Sequence, residues 1–207
     1  KYKKAINFYK KAEKLKPSNP ILINNIAKTF MCLHDVGEAE KYCRRAISID
    51  QNNDEFKKIL ALILLKKYDF KNAWLSFDGR LSLSDFANKN STLKLVQKKI
   101  PNKNISNKNS KILVVREQGI GDELLYGTMY YDLLNEFPHS VIECDERLIP
   151  LFKNSFDSHK DKFVKLGTHS LDTNKINHFD YIIYAGSLGK YFRNDLNSFS
   201  QSPYMKN

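Results

Sequence analysis

The sequence has no long apolar run, few cysteines and no recognisable pattern of metal ligands. No stretch of about 18 consecutive apolar residues occurs, so no transmembrane segment is expected. The three cysteines, Cys32, Cys43 and Cys144, show no CxxC spacing and an odd count, which argues against a disulfide framework and predicts a reducing, cytoplasmic location. The five histidines do not cluster with them, so neither a metal site nor a metal cofactor is predicted.

The chain also lacks an initiator methionine and a secretory signal. It opens with KYKKAINFYKKAEK, which is polar and helical in period rather than apolar. We therefore expect the sequence to be part of a longer protein.

Acidic residues are in the minority, and the 34 Lys and Arg against 23 Asp and Glu give a net charge of +11. A charge of this size is a possible signal for nucleic acid or an anionic membrane. Much of the excess, however, lies in residues 1–16 and 86–111, where lysine is interspersed with other polar residues, and no arginine-rich helix occurs. This distribution is typical of a solvated surface, and no nucleic-acid partner is predicted.

A pattern of small and apolar residues recurs with a 34-residue period in the first part of the chain. Its members are Ala5, Tyr9, Ala12 and Pro17, then Ala39, Cys43, Ala46 and Gln51, then Ala73, Phe77, Arg80 and Asp85. Such a period indicates helical hairpins that stack on their neighbours. The pattern resembles the tetratricopeptide repeat, which implies about two and a half repeats over residues 1–85 and a surface that binds a protein or peptide.

After a Lys/Asn/Ser-rich linker at residues 86–110, the periodicity changes. Apolar runs predict strands at residues 111–115, 140–144, 163–166 and 179–185, and helical patterns lie at 122–137 and 147–156. Alternating strands and helices predict a Rossmann-like, parallel α/β lobe over residues 111–207. The expected fold class is therefore α + α/β. Ligands of such sheets bind beyond the carboxyl ends of the strands, where residues 117–122, Asp145 and residues 186–189 are expected to converge.

The loop at residues 117–122 holds two glycines, Gly119 and Gly121, which we expect to supply unusual backbone angles and close ligand approach. A dinucleotide site is one alternative, because Asp145 suits a ribose-binding acid, but Leu124 stands where the GxGxxG fingerprint needs glycine. A phosphate-binding P-loop is excluded, since no Gly-Lys-Ser/Thr follows.

The segment VVREQGIGDELLYGTMYYDLL resembles the first strand, loop and helix of two-lobed, B-type glycosyltransferases. It is similar to the domain fused behind tetratricopeptide repeats, as in O-GlcNAc transferases, and more distantly to bacterial heptosyltransferases. HSVIECDERLIPLFKNSF, FDYIIYAGSLGKYF and SPYMKN continue the likeness in order. The resemblance implies that this lobe presents a glycan or protein acceptor, while a second lobe, which this chain does not contain, binds a nucleotide-sugar. This chain alone is then expected to transfer no sugar.

By the same resemblance, Asp122 matches the aspartate that is the general base of heptosyltransferases. Gln118, Gly119, Gly121 and Glu123 are then the expected substrate-binding residues. From the residues alone, Asp122 has an equally weighted alternative, because an acid at the start of a helix stabilises it by about 1 kcal/mol. The alternative for the whole protein is a non-catalytic module that binds other proteins through its repeats.

Overall fold

The structure, a computed structural model, describes residues 1–82 and 105–206, with Thr173 described by its backbone only. Backbone contacts divide the chain into two compact units, Lys1–Lys89 and Asn90–Asn207. We call their described parts the helical unit and the α/β unit. Most of the predicted linker at 86–110 lies outside the described residues, so the predicted domain limits of 1–85 and 111–207 stay predictions.

The helical unit consists of five helices and a short 3₁₀ turn at Asp78–Ser82. The helices are α1 (Tyr2–Leu15), α2 (Pro20–Cys32), α3 (Val36–Ile49), α4 (Asp54–Lys66) and α5 (Phe70–Phe77). Each packs on the next along the chain. The starts of α1, α3 and α5 are separated by the same period that the sequence pattern shows, and so are the starts of α2 and α4. The period seen in the sequence is therefore the structural period.

The helix starts of this unit repeat in chemical detail. The Asn19 side chain accepts a hydrogen bond from the Leu22 amide, and one period later the Asn53 side chain does the same for Phe56. Asp35 and Asp69 cap α3 and α5 in the same way. Short polar side chains satisfy the free N–H groups at helix starts, so the caps fix where each repeat begins.

The turns and the core of the helical unit follow the same period. The connection before α3 and the connection before α5 each contain one left-handed residue, His34 at φ 60° and Tyr68 at φ 61°. Ala39 and Ala73, which occupy equivalent positions, are both fully buried. Small side chains at these positions let neighbouring helices approach closely.

The α/β unit is built on one parallel sheet, which confirms the predicted fold class. Its strands are β1 (Ile112–Val115), β2 (Val141–Cys144), β3 (Phe163–Lys165) and β4 (Tyr181–Tyr184), in the order β3-β2-β1-β4. All four predicted strands are confirmed, with ends that differ by at most two residues. In register, Leu113 of β1 lies between Val141 and Ile182. Strand β1 is buried along its whole length, as expected for a parallel strand covered on both faces.

The helices of this unit are short. They are α6 (Ile120–Gly127), α7 (Tyr130–Glu136), α8 (Ile149–Ser155), α9 (Thr173–Ile176) and α10 (Gly189–Phe192). Three 3₁₀ turns accompany them, at Asp157–Lys162, Ala185–Leu188 and Leu196–Ser198. The predicted single helix at 122–137 is wrong, because the chain breaks between α6 and α7.

The break between α6 and α7 is held by a residue far along the chain. The guanidinium of Arg193 donates to the carbonyl oxygen of Thr128 at 2.5 Å and pairs with the Asp132 carboxylate at 2.7 Å. The buried Arg193 guanidinium satisfies a carbonyl that has no partner within α6. It also places positive charge at the negative end of that helix dipole. The sequence pattern around Thr128 carries no sign of this contact.

Candidate functional site

The candidate site lies at the carboxyl ends of β1 and β4, where the strand order changes direction. From β1 the chain moves to β2 and then β3 on one side, and it returns to β4 on the other. Such a switch point is where ligands bind in open α/β sheets. The predicted convergence of the loops after β1, β2 and β4 is confirmed by two contacts that join them. The Glu117 carboxylate accepts from the Gly186 amide, and the Glu123 carboxylate accepts from the Asp145 amide at 2.9 Å.

The loop after β1 turns at Gln118 and not at its glycines. Gln118 has a φ of 62°, in the left-handed region that costs a side-chain-bearing residue free energy, and it is exposed. Gly119 has a φ of −100°, which other residues adopt readily, and Gly121 lies within α6. The expectation that these glycines supply unusual backbone angles is therefore wrong. A Cβ added at Gly121 meets no heavy atom within 4 Å, so the surface there is open.

Asp122 is half-buried in the first turn of α6. Its Oδ2 accepts a hydrogen bond from the Gly119 amide at 3.2 Å, which satisfies one of the free N–H groups at the helix start. Its Oδ1 has no hydrogen-bond partner among residues 1–82 and 105–206. Asp122 therefore makes the capping contact that was one of its two expected roles, and its Oδ1 accepts no hydrogen bond from the described residues.

Glu123, predicted to bind substrate, is turned inward. Its carboxylate is fully buried, pairs with the Arg116 guanidinium and accepts from the Asp145 amide. Burial raises the pKa of the Glu123 carboxyl above its ordinary value, against the opposing effects of the Asp145 amide and Arg116. In this arrangement Glu123 joins the ends of β1 and β2 and does not reach solvent.

Asp145 holds two arginines. Its Oδ1 accepts from the Arg147 amide at 3.0 Å and from Arg147 Nε at 2.8 Å, while Oδ2 accepts from Arg147 Nη2 at 2.9 Å and pairs with Arg116 Nη2 at 3.2 Å. The hydrogen bonds from Arg147 hold the pKa of the Asp145 carboxyl well below its usual range. Both carboxylate oxygens are thus engaged, by three hydrogen bonds and one ion pair. A ribose hydroxyl would have to compete with two arginines for Asp145, which weakens the main support for a dinucleotide site.

The sequence placed Glu117 and Gly186 at this edge of the sheet but did not predict that they contact each other and connect the loops on the two sides of the switch point. Glu117 is buried against the Gly186 amide, and Tyr126 packs over the same glycine. A Cβ on Gly186 would lie 2.9 Å from the Tyr126 hydroxyl and would also collide with Glu117. Any larger residue at this position would have to displace the Glu117 carboxylate or the Tyr126 ring. A glutamate directly after an apolar strand carries no signal that it is buried.

Beside the switch point, an open pocket of about 290 Å³ lies over the ends of β1, β2 and β3. Its lining residues are Arg116, Asp145, Glu146, Arg147, Lys165 and Leu166. Three of the six are cations, and each is within ion-pair distance of an acid. The pocket is thus polar, charged and joined to the candidate site through Arg116.

Other kinds of site have no counterpart in the part of the chain that the structure describes. No group of three or more His, Cys, Asp or Glu side chains there is arranged to hold a metal ion. None of the helices in residues 1–82 and 105–206 has both the length and the apolar composition needed to cross a membrane.

Compared with known proteins, the chain matches no protein-family model and no curated protein.

Proposed function

We propose that the protein takes part in glycosyl transfer, with the α/β unit presenting a hydroxyl acceptor and Asp122 acting as the general base. The observation that carries this proposal is the position of Asp122, a half-buried carboxylate at the switch point of a parallel sheet, whose Oδ1 accepts no hydrogen bond within residues 1–82 and 105–206. The sequence resemblance to two-lobed sugar transferases supplies the reaction class. The engagement of both Asp145 oxygens by arginines argues against the dinucleotide alternative.

The chemistry that we propose for Asp122 is a proton transfer. Its free Oδ1 takes the proton of the acceptor hydroxyl while that oxygen attacks the anomeric carbon. A bond forms between them, and the bond from the anomeric carbon to the nucleoside diphosphate breaks, with the electron pair leaving on the diphosphate. The developing positive charge on the sugar ring is stabilised by a nearby carboxylate. The Gly119 amide engages Oδ2, and the surface beside the neighbouring Gly121 is open.

Gln118 is the neighbouring residue that we propose contacts the acceptor. Its left-handed backbone lies between two held residues, since Glu117 before it accepts from the Gly186 amide and Gly119 after it donates to Asp122. Strained residues persist where their surroundings impose them, and they are common at ligand sites. The donor nucleotide-sugar is proposed to bind a second α/β lobe, as the resemblance implies, and no metal is required.

We propose that the helical unit is a tetratricopeptide-like array that binds a protein or peptide. The support is the repeat period shared by the helix starts, caps and turns. Its cysteines and that of the α/β unit are all free thiols, which suits the cytoplasm as the proposed location.

A purely structural Asp122, in a protein that binds partners without catalysis, is the second candidate. The contact from the Gly119 amide to Asp122 favours it, because a capping role needs no chemistry. An Asp122→Asn substitution separates the two, since an amide oxygen still accepts from Gly119 but no longer takes a proton. Asp122→Ala removes both properties.

The test is carried out on the full-length protein with a panel of UDP-, GDP- and ADP-sugars, by release of nucleoside diphosphate. We expect Asp122→Asn to lower kcat by a factor of about 10² to 10⁴ and to leave the free energy of unfolding nearly unchanged. Asp172→Asn is the matched control, because Asp172 caps α9 in the same unit. Full activity of Asp122→Asn reduces Asp122 to a cap. No turnover of any donor by the native protein contradicts the proposed function itself.

A further inference from the structure

The pocket over β1, β2 and β3 differs from the candidate site in the kind of hydrogen bond that it offers. Its acids are already occupied. Asp145 accepts three hydrogen bonds from Arg147 and pairs with Arg116, and each carboxylate oxygen of Glu123 is engaged, one by Arg116 and the other by the Asp145 amide. The arginines, by contrast, keep donors in reserve, because each guanidinium has five N–H groups and these contacts engage only two of its nitrogen atoms. Nη1 of Arg116 and Nη1 of Arg147 have no partner among residues 1–82 and 105–206.

The exposed fractions of the side chains also favour the cations as the groups that a ligand would contact. The side chains of Arg147 and Lys165 are 69% and 64% exposed, whereas those of Glu123 and Asp145 are 0% and 10% exposed. Glu146, at 63%, is the exposed acid of the lining. The pocket lining holds three cations against two acids, and one of those acids, Asp145, is nearly buried. A solute in the pocket therefore meets a donor-rich, positive surface.

The wall of the pocket is held in place by another buried carboxylate. Glu143, in the middle of β2, accepts from the amides of Gly167, His169 and Ser170 at 3.2, 2.6 and 2.9 Å. These three bonds fix the loop that follows Lys165 and Leu166. Asp145 likewise holds the Arg147 fork in one orientation. A site whose donors are fixed before binding loses less entropy when a ligand arrives.

We propose that this pocket binds a phosphoryl group, with Arg147 and Lys165 as its principal contacts and Arg116 at its base. Arginine forks suit the oxygens of a phosphate, and charge-assisted hydrogen bonds are the stronger kind. The volume of about 290 Å³ is larger than one phosphate needs, so it leaves room for a group attached to the phosphate, such as a sugar. Glu146 is the opposing group, because its carboxylate competes with the ligand for Lys165. This assignment is independent of the proposed sugar transfer, and if both hold, it names a phosphorylated acceptor.

The test is a titration of the 207-residue chain with inorganic phosphate and, separately, with glucose 6-phosphate, followed by the NMR shifts of backbone amides. Chloride keeps the ionic strength constant. We expect saturable shifts at residues 145–147 and 165–167 with a Kd of about 1 mM. Tighter binding of glucose 6-phosphate identifies a sugar-borne phosphate, and tighter binding of inorganic phosphate identifies the free ion, and either result supports the site.

Two substitutions are expected to act in opposite directions. Arg147→Gln should raise the Kd about tenfold, because it removes an exposed guanidinium whose Nη1 is free to donate to the ligand. Glu146→Gln should lower the Kd about threefold, because it removes the competing carboxylate. Arg44→Gln is the matched control, since Arg44 is an exposed, ion-paired arginine of the helical unit, and it should leave the Kd unchanged.

Three results overturn the proposal. One is the absence of saturable shifts at residues 145–147 and 165–167 up to high millimolar phosphate. Another is shifts spread over the lysine-rich surface of α1, which indicate general attraction to a basic protein. The third is an equal response of Arg147→Gln and Arg44→Gln. Since no sugar donor is present in these measurements, their outcome is separate from the test of Asp122.

Discussion

The two units of this protein are stabilised by different kinds of contact. In the helical unit, caps and turns join residues close in sequence, and they recur with the repeat period. In the α/β unit, buried charged side chains bind backbone groups that lie far along the chain. Glu117 reaches Gly186, Glu143 reaches the loop at residues 167–170, and Arg193 reaches Thr128. The charges of the helical unit lie mostly in partly exposed pairs.

This difference shows which interactions determine the structure of each unit. The core of the helical unit is built from apolar side chains, several of them small. The packing of its helices is therefore determined by side-chain volume. The α/β unit places ionised or hydrogen-bonding groups under its loops, where losing one partner leaves the other buried and unsatisfied. Loops held in this way are suited to a ligand site, since their geometry is fixed before a ligand binds.

The largest effect is expected from Glu143→Ala in the α/β unit. The substitution leaves three amides at residues 167–170 without their acceptor and should lower the free energy of unfolding by about 3 kcal/mol. Glu146→Ala, in the loop that follows β2, removes an exposed glutamate and should change it by no more than about 1 kcal/mol. The measurement is urea unfolding of both variants by circular dichroism.

Equal losses in the two variants would contradict the idea that buried side-chain contacts set the loop geometry of this unit. A small loss for Glu143→Ala would show that water or a rearranged loop replaces the carboxylate.

The same contrast explains what could be predicted from the sequence. A repeated spacing of small residues and alternation of strand and helix are local patterns, and they predicted the repeated helices, the four strands and the parallel sheet. Long-range contacts leave no such pattern. Thus the break at Thr128 was missed because its partner, Arg193, lies 65 positions away. The position of Asp122 at the start of a helix was predicted, but the burial of Glu123 was not. The sequence does not show which of two adjacent acids in a first turn faces the core, because that depends on how the helix packs.

A smaller effect is expected from overpacking the helical unit at Ala39. This side chain is fully buried in the core of that unit, so Ala39→Leu should lower the free energy of unfolding by about 2 kcal/mol. Ala5 occupies the equivalent position one period earlier and is only partly buried. Ala5→Leu should therefore cost less than about 0.5 kcal/mol.

Trp74, the single tryptophan of the chain, lies in α5 and reports on this unit by fluorescence. If Ala5→Leu lowers the free energy of unfolding as much as Ala39→Leu does, burial does not determine how well these two equivalent positions tolerate a larger side chain.

The smallest expected effect compares two glutamates whose pKa values are shifted in opposite directions. Burial raises the pKa of Glu123, whereas a hydrogen bond from Lys67 is the main cause that lowers the pKa of Glu40 in the helical unit. An unfolded glutamate titrates near pH 4.3, at about its model-peptide pKa. Glu123 therefore contributes stability that is present below this pH and is lost as the pH rises through its higher folded pKa. Glu40 contributes stability that is present above this pH and is lost as the pH falls.

These signs are tested by measuring the free energy of unfolding of the native protein, Glu123→Gln and Glu40→Gln between pH 3 and 7. The free energy of unfolding of the native protein relative to that of Glu123→Gln should fall as the pH rises, because the native carboxyl must ionise while it is buried. Relative to that of Glu40→Gln, it should grow over the same rise, because the ionised Glu40 gains Lys67 and Arg44 as partners. Slopes of the same sign for both glutamates would mean that the pair with Arg116 outweighs burial at Glu123. The ends of β1 and β2 would then be joined by an ion pair that is stable when ionised, as at the surface of the helical unit.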